Sequence, residues 1–308
     1  MAAAYWDIPY GPDGSAAPEN TRYLRLHRPP DGVKAAHATV VVLHGGYWKN
    51  QYGIGDAYGN AGTISMGPFF LSKGFAVVEL EYRRRDHEGG GWPGTNQDVL
   101  AALGRLRGLA EEEPYAEAAK VLNLEKLILV GHSAGGCLAL WAAHHLPAAW
   151  SQVAVLAAAP VADLVLGHEL KVSDEGDAVE LYMKQAPTSP EALAEYRKAA
   201  ASPAALLPVS FPLLVAFGDA DKDVPPDLVR SYAKAAASSA PSLVSVLEIP
   251  GADHFDVVNA ESAAWLGHVV PGLGKLLEAG EMADFWPPFK GDKQQPPPPP
   301  ALKGTGNI

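Results

Sequence analysis

The run Leu127-Ile128-Leu129-Val130-Gly131-His132-Ser133-Ala134-Gly135-Gly136-Cys137-Leu138-Ala139-Leu140-Trp141-Ala142-Ala143 decides the fold. Four apolar residues form a buried strand, and Cys137–Ala143 forms a buried helix, so the chain must reverse within a few residues between them. Only small residues fit the flanks of so tight a turn. Ser133, set between Gly131 and Gly135, is lifted above the edge of a sheet with its hydroxyl exposed, the sequence form of a nucleophile elbow. Ser133 is therefore a candidate nucleophile, and the rest of the chain must supply a base, an acid to orient it, and donors for a developing oxyanion.

Strand-like runs recur on both sides of this turn. Arg22–Leu26, Thr39–Leu43, Ala76–Tyr82, Leu127–Val130, Val153–Ala157, Leu213–Phe217 and Val244–Ile249 are predicted strands, most of them continuously apolar as central strands are. Helices are predicted at Ser65–Lys73, Thr95–Glu112, Ala134–His145, Pro226–Ser238 and Ala260–Leu277. The alternation gives an α/β fold with a doubly wound, mostly parallel sheet. One domain is expected over residues 1–286. Asp163–Ala201 reads as a small helical cap inserted after a strand, and the glycine-rich Lys49–Gly67 as a long loop forming a second wall. Residues 287–308, with five prolines at Pro296–Pro300, read as a disordered tail, at most a weak protein-interaction segment.

Composition narrows the function classes. A chain of 308 residues with 48% hydrophobic content can bury a large core, and a net charge of -11 argues against nucleic acid or anionic membranes as partners. The single cysteine, Cys137, permits neither an intrachain disulfide nor a thiolate cluster, and reads as a small buried residue. Met1–Asp7 has no basic, apolar leader pattern, so a cytoplasmic protein is expected. No metal or organic cofactor is expected. His144 and His145 are adjacent on a helix and cannot face one ion together.

The base belongs on a loop after the last strand. Among ten histidines, His254 follows Val244–Ile249 and Pro250-Gly251 at a strand's carboxyl edge, where open α/β sheets place catalytic groups. His44 reads as an anchor of its own loop, and His132 sits in a turn that should splay neighbouring side chains apart. The acid belongs on Gly218-Asp219-Ala220-Asp221-Lys222-Asp223-Val224-Pro225. Asp219 suits a turn and Asp223 a helix cap. Asp221 has the spacing Gly-x-x-Asp-x-x-Val-Pro that recurs in serine hydrolases. The order Ser133, Asp221, His254 is that of α/β-hydrolases. Thr39–Leu43 runs into His44-Gly45-Gly46-Tyr47-Trp48, whose backbone N–H groups, with that of Ala134, can form an oxyanion hole. The oxyanion residues expected are Gly45, Gly46, Tyr47 and Ala134. Trp48 and Trp92 are candidate pocket walls, and Arg83–Arg85 could meet a substrate carboxylate.

On His44–Trp48, Gly131–Gly136, Asp253-His254-Phe255-Asp256-Val257-Val258 and Tyr10-Gly11-Pro12, the chain resembles the arylformamidase (kynurenine formamidase)-like and small-esterase group of α/β-hydrolases over about residues 8–280. The resemblance implies the same three residues, Ser133, Asp221 and His254, in an acyl-enzyme mechanism. It implies hydrolysis of a small ester or of an aryl formamide such as N-formylkynurenine. Lys49–Gly67 is longer than in that group, and Glu81–Gly94 looks more like its uncharacterised esterases than like animal formamidases. A non-catalytic binding or scaffolding protein with a partner-recruiting tail is the alternative from another class.

Overall fold

Apolar runs of five to seven residues with no polar face must be covered on both sides, and the computed structural model shows them so. The structure describes residues 5–11, 21–28, 36–54, 57–113, 115–198, 201–279 and 282; the proline-rich tail lies outside these. Eight strands form one sheet: β1 (Tyr5–Pro9), β2 (Tyr23–His27), β3 (Thr39–Leu43), β4 (Ala76–Leu80), β5 (Lys126–His132), β6 (Gln152–Ala158), β7 (Leu213–Gly218) and β8 (Val244–Ile249). Their spatial order is β1-β2-β4-β3-β5-β6-β7-β8. β1, β2 and β4 pair antiparallel, and all pairs from β4 to β8 are parallel. Every residue of β3, β4 and β7 is buried, so neither face of the central sheet meets solvent.

The helices are α1 (Ala57–Ser72), α2 (Gly94–Gly108), α3 (Ala116–Ala119), α4 (Ala134–His145), α5 (Leu164–Glu169), α6 (Ala178–Met183), α7 (Pro190–Lys198), α8 (Pro226–Ser239) and α9 (Val270–Ala279). α2 and α4 pack on each other. Phe69 and Phe70 of α1 meet Trp265, just before α9, edge-on at 5.5 and 6.0 Å. The expected doubly wound α/β architecture is therefore the observed one. Among the described residues no helix is long and apolar enough to cross a membrane.

Several expected boundaries shift for physical reasons. β1 was not expected: Tyr5–Pro9 mixes polar and aromatic residues and carries a proline, as an edge strand can. Lys49–Gly67 is not one long loop, because α1 already begins at Ala57; glycines at 59, 62 and 67 hide its helical period. The helix expected at Ala260–Leu277 becomes regular only at Val270. Pro271 has no N–H to continue an i→i−4 ladder, and the chain enters α9 through a π turn at Trp265–Val269. Between β6 and β7 the excursion at Asp163–Ala201 holds three short helices, α5, α6 and α7.

Candidate active site

β5 runs to His132, two residues beyond the expected strand, and delivers Ser133 to the start of α4. Ser133 has φ 56° and ψ −119°. A non-glycine residue held there carries about 1–3 kcal/mol of backbone strain, which the surroundings must offset. They do so through three backbone bonds. Ser133 N–H donates to Ala158 O at 2.9 Å, and Cys137 and Val161 N–H donate to Ser133 O at 3.2 Å each. A Cβ on Gly135 would lie 2.2 Å from Leu43 O and 2.3 Å from His44 O, so glycine there lets α4 seat directly on the end of β3.

The chain leaving β3 turns sharply. Gly46, Tyr47 and Trp48 have φ values of 104°, 53° and 56°, three left-handed residues in succession, and Lys49 N–H closes the turn on Gly46 O at 2.9 Å. The side of Gly45 that would carry a Cβ faces Ser133, 3.0 Å from its Cβ. Of the expected oxyanion residues, Gly45 thus borders the elbow, and Gly46 and Tyr47 follow it in the same turn. Ala134 opens α4, where N–H groups have no partner inside the helix.

The loops carrying Asp221 and His254 meet at the ends of β7 and β8. Gly251 N–H donates to the Asp219 carboxylate at 2.6 Å, and Ala220 N–H to Ala252 O at 3.1 Å. Asp219 therefore stabilises the turn, as expected. Asp221 Oδ1 accepts the N–H groups of Asp223 and Val224, both at 2.9 Å, while Oδ2 accepts His254 Nδ1–H at 2.6 Å. With Nδ1 donating, His254 Nε2 carries a bare lone pair. His254 Nε2 and Ser133 Oγ are both buried and without a hydrogen-bond partner. Asp223 does not cap α8: the cap residue is Pro225, with no side-chain hydrogen bond. Instead the Asp223 carboxylate accepts the Tyr47 hydroxyl at 3.0 Å, tying the turn after β3 to the acid loop.

Asp221, Asp223 and His254 place ligand-type atoms within 4.8 Å of one another. The Asp221 oxygens and His254 Nδ1 are committed to each other and to N–H donors, the pattern of an orienting acid and not of a cation cage.

Trp48 is fully buried and stacks on Tyr182 of α6, with ring centroids 4.2 Å apart. Trp92 packs edge-on against Trp141 at 6.0 Å. Lys49 Nζ reaches Glu175 at 2.5 Å. The excursion between β6 and β7 is therefore packed against the Tyr47–Lys49 turn. All three arginines of Arg83–Arg85 have acidic neighbours: Arg83 on Asp98 at 2.8 Å, Arg84 on Glu81 at 3.1 Å, and Arg85 3.6 Å from both Asp86 and Asp177.

Sequence reasoning missed His132. Its ring lies 4.4 Å from that of His254, and its Nε2–H donates to His254 O at 2.9 Å. Burial, reinforced by the neighbouring His254, holds it well below the usual imidazole range, so it stays neutral. Adjacent side chains in the turn are expected to splay apart, yet His132 meets His254 across the sheet edge. Local sequence carries no signal of that contact.

The BD-FAE family model matches residues 24–235. No curated protein matches the chain in sequence. Among solved structures, the Thermogutta terrifontis esterase Est2 superposes with a TM-score of 0.64 at 20% identity, covering 94% of this chain and 95% of that one. Esterase B of Lactobacillus rhamnosis gives 0.63 at 20% identity, covering 91% and 87%. A bifunctional GH43-CE protein of Bacteroides eggerthii gives 0.64 at 20%; 82% of this chain is covered, and it spans 36% of that protein. At such identity these likenesses are of fold.

Proposed function

This chain belongs to the BD-FAE family, and from that premise we propose that it is a serine hydrolase of small carboxylic esters. The observation that carries the reading is the buried pair His254–Asp221 at 2.6 Å, with His254 Nε2 and Ser133 Oγ both buried and unpartnered. An imidazole oriented through one nitrogen and bare at the other is a base awaiting a proton. In the proposed cycle Nε2 takes the proton of Ser133 as Oγ adds to the substrate carbonyl. The tetrahedral oxyanion is met by N–H groups of the Gly45–Tyr47 turn and of Ala134. The imidazolium, stabilised by Asp221, then protonates the departing alcohol oxygen. Water, deprotonated by the same imidazole, hydrolyses the acyl-enzyme and returns the proton to Oγ.

The two structural neighbours matched over most of their length are esterases, which favours an ester over an aryl formamide as the scissile group. Formamide hydrolysis would use the same residues, differing only in protonation of an amine leaving group. A small helical cap over a single hydrolase domain fits the packing of α6 on Trp48. The decisive assay sets p-nitrophenyl acetate against N-formylkynurenine, with Ser133→Ala as control. Ester turnover that falls by about 10⁶ in Ser133→Ala is the expected result. Equal turnover by both proteins overturns the assignment, and turnover of the formamide alone replaces the ester.

A further inference from the structure

A second buried histidine–carboxylate pair lies behind the oxyanion turn, and the cycle above does not use it. His44 Nε2 is 3.1 Å from Glu81 Oε1, and His44 Nδ1 is 2.8 Å from the carbonyl oxygen of Gly45. Both neighbours only accept. A carbonyl has no proton to give. Glu81 accepts the Ile54 N–H at Oε2 (2.8 Å) and the Tyr82 N–H at Oε1 (3.0 Å), and Oε1 lies 3.1 Å from Arg84 Nη1, so donors meet both oxygens and the carboxylate has no proton to give. The Tyr82 hydroxyl lies 3.4 Å from Nδ1, yet 2.7 Å from His44 O, where its proton is used. A neutral imidazole would leave one ring lone pair facing an oxygen lone pair. The partners therefore assign the protonation state.

We infer that His44 is a doubly protonated imidazolium, and that Glu81 and His44 are positioning residues that strengthen Gly46 N–H as an oxyanion donor. The link is a single peptide unit. Gly45 C=O and Gly46 N–H are two ends of the same amide, so a charge-assisted bond to the oxygen polarises the N–H. The inference rests on the proposed hydrolase reading.

The surrounding groups support a net positive site. Arg84 Nη1 lies 3.1 Å from the same Glu81 Oε1, so two cations share one carboxylate. The Tyr82 ring stacks on His44 at 4.4 Å, and the Tyr10 hydroxyl donates to Glu81 O at 2.6 Å. Burial raises both phenols and the nearby Cys137 thiol, keeping all three uncharged. His132, on the other side of Gly45, is held neutral. The remaining positive charge favours negative charge developing at Ser133.

Two measurements on the full chain test this. In nitrogen-15 NMR, with His44 assigned through His44→Gln, both His44 nitrogens should show protonated shifts and both N–H protons from about pH 5 to 8. One bare nitrogen over that range overturns the inference, whatever the activity. In kinetics, Glu81→Gln keeps shape and an acceptor but removes the charge that holds the proton. Its kcat should fall about 10- to 100-fold, less than the 10²–10³ expected when a donor is lost outright, with KM little changed. Its alkaline limb should move to lower pH, and Glu81→Asp should restore it. A pH-independent loss, or a fall in Tm alone, makes Glu81 merely structural and overturns the relay. Ser133→Ala runs in the same assay: if it retains turnover, the hydrolase reading fails with the relay, whereas its loss beside an unchanged Glu81→Gln profile fails the relay alone.

Discussion

Two regions of the molecule hold a histidine against a carboxylate. At the ends of β7 and β8, His254 meets Asp221; at the end of β3, His44 meets Glu81 on the chain leaving β4. All four side chains are buried, and the residue types differ by one methylene. The difference is in the second ring nitrogen. On His254 it is unpartnered, and on His44 it faces the Gly45 carbonyl. A histidine that is to move protons must keep one nitrogen idle, whereas one that only supplies charge keeps none. A buried His–carboxylate contact is thus no signature of catalysis until the far nitrogen has been accounted for.

Replacing each acid by its amide sharpens the comparison most. Asp221→Asn should lower kcat by about 10⁴, because the imidazole loses its tautomer and the partner of its charged form. The Glu81→Gln effect should be at least a hundredfold smaller. Steady-state ester hydrolysis checks both, and greater damage from Asp219→Asn or Asp223→Asn would move the role off Asp221.

His132 lies between the two regions, its ring 4.4 Å from that of His254 and its Nδ1 3.3 Å from where a Cβ on Gly45 would sit. Its pKa is depressed on folding, so below the ordinary histidine value of about 6.5 the unfolded chain binds a proton that the native state does not. Stability then rises with pH across that window and falls on acidification, by up to about 1.4 kcal/mol per pH unit until the native His132 itself titrates. Urea unfolding between about pH 7 and 5 should show this slope, reduced in His132→Gln. An unchanged slope would mean that native His132 takes up a proton as readily as the unfolded chain does.

Tyr47 physically joins them, through its hydroxyl on Asp223. Tyr47→Phe should lower unfolding stability by about 1 kcal/mol and leave kcat far less affected than Asp221→Asn does. The smallest effect is expected at Cys137, in the first turn of α4. Burial pushes its thiol up, so a thiol reagent should leave the native enzyme active and label only unfolded chain.

The sheet was legible because β3, β5, β6 and β7 are unbroken apolar runs, and their carboxyl ends name the loops on which function can sit. Ser133, Asp221 and His254 were legible for the same reason: each follows a strand at a turn with few residue options. β1 was not, since an edge strand needs no apolar face. The long-range partners were hidden as well. His132 with His254, Tyr47 with Asp223 and His44 with Glu81 are separated by 122, 176 and 37 residues. Only the sheet order brings them together, and no local pattern in the chain encodes such contacts. Asp223 shows how a sound local reading loses to one of them: its position before Pro225 suits a cap, but the Tyr47 hydroxyl claims its carboxylate.

The seating of α4 on the end of β3 has a consequence for how such a protein can change over generations. Because Gly135 leaves no room for a side chain against Leu43 O and His44 O, the Ser133 turn and the turn that follows β3 are one mechanical piece. A single added carbon would unmake both at once. The Asp163–Ala201 excursion stands outside that lock, joined to it through Trp48 on Tyr182 and Lys49 on Glu175. Selection can therefore alter the excursion while the Ser133 turn and the turn after β3 are inherited as a unit.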